Sequence, residues 1–394
     1  MRKITVLGST GSVGVSTLDV LGQLGGRSAF EVTALTGGNN VDLLAQQARA
    51  TGARMAVTAN GARYQELKSA LSGTGIAVAA GRAGILEAAE QDSDLVMAAI
   101  VGTAGLEPTL VAARRGADVA LANKECLVSA GELFVKAVQQ GGGRLLPVDS
   151  EHSAILQVLN EDHRDTLERI VITASGGPFR TWTREQMAGV TPTVARMHPT
   201  WSMGLKISIG SATMFNKALE VIEAKHLFQV TPEQVEVIVH PQSIIHSMVG
   251  YADGSVLAQL GCPDMRTAIG YALAYPKRAR LNVERLDLVK LARLDFEPPD
   301  EVRFPALRLA RLALRRGGQQ SAIMNAAEET AFEAFVATRI GFLDMAEIAE
   351  AVMDDMQGWP HASCMEDVFI CDGEARRRAA ALIARIPSPT PRSA

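Results

Sequence analysis

Three acidic residues of this chain have the types and spacing of a metal site. Asp149-Ser150-Glu151 follows an apolar segment that is predicted to be a strand. Residues two apart in an extended chain point to the same side, so Asp149 and Glu151 can present two carboxylates to one point. Glu220, on a predicted helix, can supply a third, and an all-oxygen set suits Mg²⁺ or Mn²⁺ rather than zinc. A solvated acidic turn is the commoner explanation of a bare Asp-x-Glu sequence.

Polar residues near the start of the helix predicted over residues 211–228 could hold a phosphate group. Asn216, Lys217 and Glu220 fall on one helix face by the three- and four-residue rule. Ser211 lies at the helix start, within reach of the same region. The alternative is an ordinary solvated helix face.

Two further segments bring polar groups to the ends of predicted strands. Ser175-Gly176-Gly177 can expose backbone N–H groups of the kind that bind anions, although a simple turn explains it equally well. Lys124 lies where a strand ends and a helix begins. Its ammonium could contact an anionic substrate or polarise a carbonyl oxygen, but such a lysine is more often solvated.

A loop is predicted over residues 198–204, H-P-T-W-S-M-G, because the segment has neither a helix period nor a strand period. Trp201 and Met203 could cover a ligand and exclude water, while His198 could add a polar contact on closure. Gly204 supplies the backbone freedom of a hinge. A packed surface loop is the alternative.

A glycine-rich turn, G-S-T-G-S-V-G at residues 8–14, follows the first predicted strand and opens the first predicted helix. Glycines let a backbone approach a pyrophosphate, and a helix N-terminus offers N–H groups and a positive dipole end. The sequence therefore favours a dinucleotide site here. A tight turn without a ligand is the alternative.

The end of the second predicted strand bears on the choice of nicotinamide cofactor. NAD-binding folds usually place an acid there to hold the ribose 2′-hydroxyl, whereas this strand ends L-T-G-G-N-N. The absence of an acid permits NADP, but no Lys or Arg is adjacent to bind its 2′-phosphate. Thr10, Ser12, Asn39 and Asn40 could supply neutral hydrogen bonds, or could be turn residues without a ligand.

Hydrophobic periodicity predicts the elements that position these residues. Apolar runs alternate with helical patterns before Asp149, which favours a Rossmann-like, doubly wound parallel sheet. Its strands are predicted at residues 3–7, 30–35, 54–58, 76–80, 94–100, 119–122 and 144–148. An α+β region follows, with strands predicted at residues 170–173, 235–240, 243–251 and 255–260.

The predicted domains follow from this change of pattern. A dinucleotide-binding α/β domain is assigned to residues 1–149, and an α+β domain that follows the Asp-Ser-Glu segment to 150–280. A charged, proline-containing linker covers 281–304, and a helical C-terminal domain covers 305–394. Within it, residues 386–394 are predicted to be a disordered tail.

Composition excludes several classes of protein. The net charge of −4, without a basic stripe, argues against nucleic-acid binding. No apolar run is long enough to span a membrane, and the N-terminus lacks a signal peptide. The four cysteines form no C-x-x-C pair, so neither zinc nor a disulfide framework is indicated. We therefore expect a cytoplasmic protein.

Eight motifs occur in a fixed order along the chain. They are G-S-T-G-S-V-G (8–14), A-A-I-V-G (98–102), L-A-N-K-E (121–125), L-L-P-V-D-S-E-H (145–152), S-G-G-P-F-R (175–180), H-P-T-W-S-M-G (198–204), S-A-T-M-F-N-K-A-L-E (211–220) and H-P-Q-S-I-I-H-S-M-V (240–249). As a set they are highly specific. On these motifs the chain resembles the 1-deoxy-D-xylulose 5-phosphate reductoisomerases of non-mevalonate isoprenoid biosynthesis, nearly end to end.

The resemblance implies a role for each residue that matches a family motif. The implied metal ligands are Asp149, Glu151 and Glu220. The implied catalytic residues are these three together with Lys124 and His198. The implied substrate contacts are Ser150, Ser175, His198, Trp201, Ser211, Asn216 and Lys217. The implied cofactor contacts are Gly8, Thr10, Gly11, Ser12, Val13, Gly14, Gly38, Asn39, Asn40, Asn123, Glu125 and Gly204.

The resemblance also implies the reaction. The substrate would be the sugar phosphate 1-deoxy-D-xylulose 5-phosphate, with NADPH and Mg²⁺ or Mn²⁺ as cofactors. The carbon skeleton would rearrange and the resulting aldehyde would be reduced to 2-C-methyl-D-erythritol 4-phosphate. A homodimer is implied, with an interface around the strands of residues 235–260.

Three positions depart from the family pattern. Cys126 stands where Ser is usual, Gly210 replaces an acid or amide, and Asn39 replaces a Lys or Arg. The last weakens the expected discrimination of NADPH from NADH. Two rivals are a simple NADP-linked dehydrogenase and an NADP-sensing regulator without activity. Three retained carboxylates disfavour both.

Overall fold

The computed structural model of the chain describes residues 1–197, 201 and 204–387. These residues form two compact units. The first consists of Met1–Cys126, Phe134–Gln157 and Asp264–Arg285, and the second of the remaining described residues. Each unit contains one sheet.

A seven-stranded parallel sheet forms the centre of the first unit. Its strands are β1 (Arg2–Leu7), β2 (Phe30–Gly37), β3 (Met55–Thr58), β4 (Ala77–Ala80), β5 (Leu95–Ala98), β6 (Asp118–Leu121) and β7 (Leu145–Pro147). Their order across the sheet is β4-β3-β2-β1-β5-β6-β7. The order reverses between β1 and β5, so the loops after these strands flank the crevice in which doubly wound sheets bind ligands.

Helices alternate with these strands along the chain. They are α1 (Ser12–Gln23), α2 (Val41–Thr51), α3 (Tyr64–Ala70), α4 (Gly81–Glu90), α5 (Leu106–Arg114), α6 (Glu125–Gly141) and α7 (Ser150–Val158). Successive side chains of a strand belong alternately to two buried clusters. In β5, Leu95 and Met97 belong to one cluster, and Val96 between them belongs to the other. Because both faces are covered, the strands are near-continuous apolar runs in the sequence.

A four-stranded mixed sheet forms part of the second unit. Its strands are β8 (Leu167–Ala174), β9 (Val235–Val239), β10 (Ile245–Tyr251) and β11 (Val256–Leu260). Their order is β11-β10-β8-β9, and only β8 and β9 are parallel. The later helices are α8 (Arg184–Met187), α9 (Pro192–Ala195), α10 (Leu205–Ala212), α11 (Phe215–Phe228), α12 (Met265–Ala274), α13 (Leu288–Leu291), α14 (Ala306–Arg316), α15 (Gln320–Val336), α16 (Asp344–Asp355) and α17 (Met365–Ile383).

A buried charge network ties α10 to the C-terminal helices of the second unit. Glu329 on α15 accepts from Lys206 on α10 and from Arg376 on α17. Arg376 also pairs with Asp372 at 2.6 Å. Burial alone would raise the pKa of Glu329, but the two cations outweigh it and lower that pKa.

The predicted fold class is confirmed: a doubly wound parallel sheet, an α+β region and a helical C-terminal region. The helix predicted over 211–228, however, is two helices. Met214 adopts a left-handed conformation with φ of 64°, which ends the continuity between α10 and α11. Propensity did not signal this break, because Met is a good helix former.

Segment 264–285 lies elsewhere than its predicted domain suggests. The sequence assigned most of it to the domain of residues 150–280, but α12 packs in the first unit, against α1. Ile269 and Leu273 join the larger cluster of the first sheet. An apolar stripe in the sequence indicates that a helix packs against a hydrophobic core, but it does not indicate which domain provides that core. Of the predicted tail, residues 388–394 lie outside the described residues.

Candidate active site

The glycine-rich turn after β1 is held close to neighbouring backbone. Gly8 has φ of +88°, and a Cβ there would lie 2.6 Å from the Ala99 carbonyl oxygen. A Cβ on Gly14, in the first turn of α1, would lie 2.3 Å from the Gly8 carbonyl oxygen. The Gly8 N–H donates to Thr36 Oγ1 at 2.9 Å. Only glycine fits both positions, and this close strand–helix packing is the geometry of dinucleotide-binding turns.

The loop after β2 is fixed by residues that follow β3. Asn60 Nδ2 donates to Asn39 Oδ1 at 2.8 Å, and the Arg63 guanidinium donates to the Asn39 carbonyl oxygen. Asn40 caps α2, since its side chain accepts from Leu43 N at 3.2 Å. The sequence did not single out Arg63, because it lies 24 residues from Asn39 and only the parallel pairing of β2 and β3 brings the two together.

Asn123 and Glu125 hold the loop after β5, on the other side of the point at which the strand order reverses. Asn123 Nδ2 donates to the carbonyl oxygens of Ile100 and Gly102, the latter at 2.8 Å. Glu125 Oε1 accepts from Gly102 N at 3.2 Å. Both side chains are buried. They therefore shape the crevice in which a dinucleotide would lie.

Lys124 and Asp149 form a partly buried ion pair in the first unit. His152 Nδ1 lies 3.7 Å from Asp149 Oδ2. Burial alone would raise the pKa of Asp149, but Lys124 and His152 outweigh it and hold that pKa well below its usual range. Asp149 is therefore anionic at neutral pH, as a ligand for a hard cation must be. Sequence reasoning missed His152, although it closes the motif at 145–152.

The local geometry of Asp149 and Glu151 differs from the expected one. The two carboxylates were expected to align along extended chain, but α7 begins at Ser150 and Glu151 lies in its first turn. Ser150 Oγ donates to Glu151 Oε2 at 2.5 Å. The strand ends at Pro147, and the Ser153 N–H donates to the Asp149 carbonyl oxygen at 2.8 Å, which starts the helix.

In the second unit, α11 presents a buried polar face. Glu220 is 0% exposed, and it accepts from Asn216 Nδ2 at 2.7 Å and from Lys217 Nζ at 2.5 Å. Lys217 is 5% exposed. Because these side chains are buried, the alternative of a solvated helix face is wrong. Burial of an ion pair is costly, which points to a functional role for this one. Glu223, one turn further along the same helix, is also buried.

The Ser175 turn packs on the end of α10 that carries Ser211. Gly176 and Gly177 have φ of +80° and +68°, and Gly177 N donates to Ser175 Oγ at 3.2 Å. A Cβ on Gly177 would lie 2.6 Å from the Ser211 carbonyl oxygen. The structure therefore brings Ser175 and Ser211 to one place in the second unit. Left-handed Met214 then turns the chain into α11, which carries Asn216 and Lys217.

Known proteins are similar to this chain over nearly its whole length. Family models described as 1-deoxy-D-xylulose 5-phosphate reductoisomerase and as the C-terminal domains of that enzyme match residues 4–131, 145–228 and 260–378. The 1-deoxy-D-xylulose 5-phosphate reductoisomerase of Rhizobium rhizogenes is 73% identical over 98% of this chain and 97% of its own length. That of Sinorhizobium medicae is 69% identical, over 97% and 98%.

The chain belongs to the 1-deoxy-D-xylulose 5-phosphate reductoisomerase family.

Solved structures of the reductoisomerase family have the same fold. The Zymomonas mobilis enzyme in complex with NADPH has a TM-score of 0.92 at 53% identity, covering 98% of this chain and 100% of that one. A family structure in complex with NADPH, fosmidomycin and magnesium has a TM-score of 0.93 at 40% identity, covering 98% of each chain.

Part of the loop predicted to close over the reductoisomerase substrate is described. The ring of Trp201 lies with its centroid 6.1 Å from that of His246, which the sequence did not single out. His198 and Met203 lie outside the described residues. Gly204 is exposed and directly precedes α10, with φ of −63°. Any residue can adopt this φ, and the role of Gly204 as a hinge stays a prediction.

Among the described helices, none combines the length and the apolar character needed to cross a membrane.

Proposed function

We propose that this protein converts 1-deoxy-D-xylulose 5-phosphate to 2-C-methyl-D-erythritol 4-phosphate with NADPH and a divalent cation, a step of non-mevalonate isoprenoid biosynthesis. The observation that carries the proposal is family membership together with an ion-paired carboxylate in each unit. Asp149 is ion-paired in the first, and Glu220 is fully buried in the second. A protein that had lost catalysis would have no need to keep such costly groups charged.

NADPH fits the crevice of the first unit. The absence of a Cβ at Gly8 and Gly14 lets the turn after β1 approach a pyrophosphate, and α1 directs its N-terminal N–H groups there. The residues proposed to line this site are Gly8, Thr10, Gly11, Ser12, Val13, Gly14, Gly38, Asn39, Asn40, Asn123 and Glu125. Gly204, which belongs to the second unit, stays a predicted cofactor contact. Asn123 and Glu125 act through the loop that they hold.

Asp149, Glu151 and Glu220 are the proposed ligands of one Mg²⁺ or Mn²⁺ ion. All three offer carboxylate oxygens, which hard cations prefer. When bound, the ion would polarise a substrate carbonyl as a Lewis acid. Lys124 keeps Asp149 ionised and would contact the substrate beside it, together with Ser150.

Ser175, Ser211, Asn216 and Lys217 are the proposed phosphate site. The packing of the Ser175 turn on the end of α10 supports it, as does the buried Lys217 side chain in the first turn of α11. A charged donor with neutral donors around it suits a phosphate monoester. His198 and Trp201 would close over the bound sugar and exclude water from the hydride step.

A homodimer in the cytoplasm completes the proposal. Strand β11 lies at the edge of its sheet, and Val256, Leu257 and Leu260 on it are 48%, 46% and 37% exposed. An apolar edge strand of this kind needs a cover. All four cysteines are free, in keeping with a reducing compartment. Light scattering should give twice the chain mass, and Leu257→Glu should lower it.

The reaction is tested by identifying the product. Purified protein is incubated with 1-deoxy-D-xylulose 5-phosphate, NADPH and Mg²⁺, and the product is analysed by NMR. We expect 2-C-methyl-D-erythritol 4-phosphate, with one NADPH consumed per product molecule. An unbranched polyol phosphate would indicate a simple dehydrogenase instead, because it would mean reduction without rearrangement.

A further inference from the structure

Arg63 supplies a cation at a place where the sequence indicated none. The loop after β2 carries Asn39 where the family pattern has a Lys or Arg. In parallel sheets the loops after neighbouring strands lie at the same edge, and Gly37 of β2 pairs with Thr58 of β3. Thr58 Oγ1 donates to the Gly38 carbonyl oxygen at 2.7 Å, which joins the two loops directly.

The Arg63 guanidinium is fixed against this loop by bonds on two sides. Nη1 donates to the Asn39 carbonyl oxygen, while Nε donates to Glu66 Oε2 at 2.8 Å and Nη2 to Glu66 Oε1. A guanidinium has five N–H groups. These three bonds to described residues leave two N–H groups, one on each terminal nitrogen. The Arg63 side chain is 35% exposed, so both the charge and the N–H groups can meet a ligand.

The charges around Arg63 set how strong such an interaction can be. Glu66 raises the pKa of Arg63, chiefly through its hydrogen bonds, and the charge of Asp42 raises it further. Both acids also repel an incoming phosphate. We therefore expect a moderate contribution of Arg63 to phosphate binding. Its guanidinium is already oriented by Glu66 and by the Asn39 carbonyl oxygen, so little side-chain entropy is lost on binding.

We propose that Arg63, with Asn60 beside it, binds the 2′-phosphate of NADPH and so replaces the basic residue that Asn39 lacks. The inference rests on the proposed NADPH site. It makes Arg63 a determinant of the preference for NADPH over NADH, because NADH lacks the 2′-phosphate and has nothing to offer to this guanidinium.

The test is equilibrium binding of NADPH and NADH to the full-length protein, followed by calorimetry. Arg63→Gln should raise the Kd for NADPH about tenfold, as expected for a charge-assisted hydrogen bond, and leave the Kd for NADH unchanged. A merely structural role for Arg63 would weaken both cofactors equally. Arg82→Gln is the matched control, since Arg82 pairs with Glu107 much as Arg63 pairs with Glu66. It should change neither Kd.

Glu66→Gln keeps the test decisive if Arg63→Gln does not fold. It removes a repelling charge, so it should tighten the binding of NADPH but not that of NADH. Where Arg63→Gln folds, Asn39→Arg in that background should restore NADPH binding. Equal Kd values for NADPH in wild type and Arg63→Gln would overturn the inference alone. Failure of wild type to bind NADPH would overturn the proposed function with it.

Discussion

Glu220→Gln separates metal binding from folding. The substitution keeps the volume of the side chain but removes its charge from a fully buried position. The amide can still accept from Asn216 or Lys217, but the Lys217 ammonium, with its side chain 6% exposed, loses its counter-charge. Removing one partner of a buried ion pair costs about 3–5 kcal/mol, and the hydrogen bonds that the amide retains offset part of this cost. We therefore expect a loss of about 3 kcal/mol in the free energy of unfolding.

That loss is smaller than the stability of a folded domain, roughly 5–15 kcal/mol. It should lower Tm by about 6–12 °C and leave the protein folded at 25 °C. Turnover should fall by at least about a hundredfold, because an amide oxygen replaces an anionic ligand of a hard cation. Both quantities are measured on one preparation: Tm by scanning calorimetry, and turnover by NADPH oxidation at saturating Mg²⁺.

Glu350→Gln is the control for Glu220→Gln. Glu350 on α16 forms a two-bond pair with Arg308 on α14, and neither residue is a proposed ligand or substrate contact. A partly exposed pair contributes about 1 kcal/mol or less, and its loss should leave turnover normal. Near-normal turnover of Glu220→Gln would refute its assignment as a ligand. Global unfolding of this variant would refute the energetic reasoning.

Three other variants probe the cofactor turn, the loop and the charge network. Gly14→Ala should abolish NADPH binding, because its Cβ would lie 2.3 Å from a backbone oxygen; calorimetry that detects normal binding would contradict this. Trp201→Ala should lower turnover strongly while the Kd for NADPH stays unchanged. A fully active variant would mean that Trp201 serves only to pack the loop. Glu329→Gln should destabilise the protein at pH 7. Because the pKa of Glu329 is lowered on folding, its charge stabilises the protein above its unfolded pKa near 4.5, and this stabilisation is lost as pH falls. Denaturant unfolding should therefore show a difference in the free energy of unfolding between wild type and Glu329→Gln at pH 7, and a smaller difference below pH 4.

The first sheet could be predicted from sequence because its signals are local. Strands buried on both faces are apolar runs, and a glycine turn after the first of them is read directly from residues 8–14. The break at Met214 could not be predicted, since its left-handed φ is imposed by the packing of two helices and not by Met itself. The helix that begins at Ser150 was missed for a similar reason, as Asp-Ser-Glu is compatible with a turn or a helix start.

The candidate site divides in the same way. Metal-binding carboxylates and cofactor-binding glycines could be proposed from sequence where they lie within one motif, because their spacing along the chain is itself characteristic. Arg63 and His246 could not, because each meets its partner through strand pairing or loop packing across many residues. A contact of this kind has no periodic signature. The burial of Glu220 and Lys217 was also hidden, since a charged helix face in sequence usually predicts solvent.

The proposed reaction rearranges and reduces a sugar phosphate with the help of a divalent cation. The most direct test is NADPH oxidation by wild type with 1-deoxy-D-xylulose 5-phosphate, before and after removal of metal with EDTA, followed by addition of Mg²⁺ or Mn²⁺. We predict oxidation that requires the sugar phosphate, stops on chelation and returns with either ion. Oxidation that continues at the same rate in the chelated enzyme, or none in the presence of substrate and metal, would contradict the account.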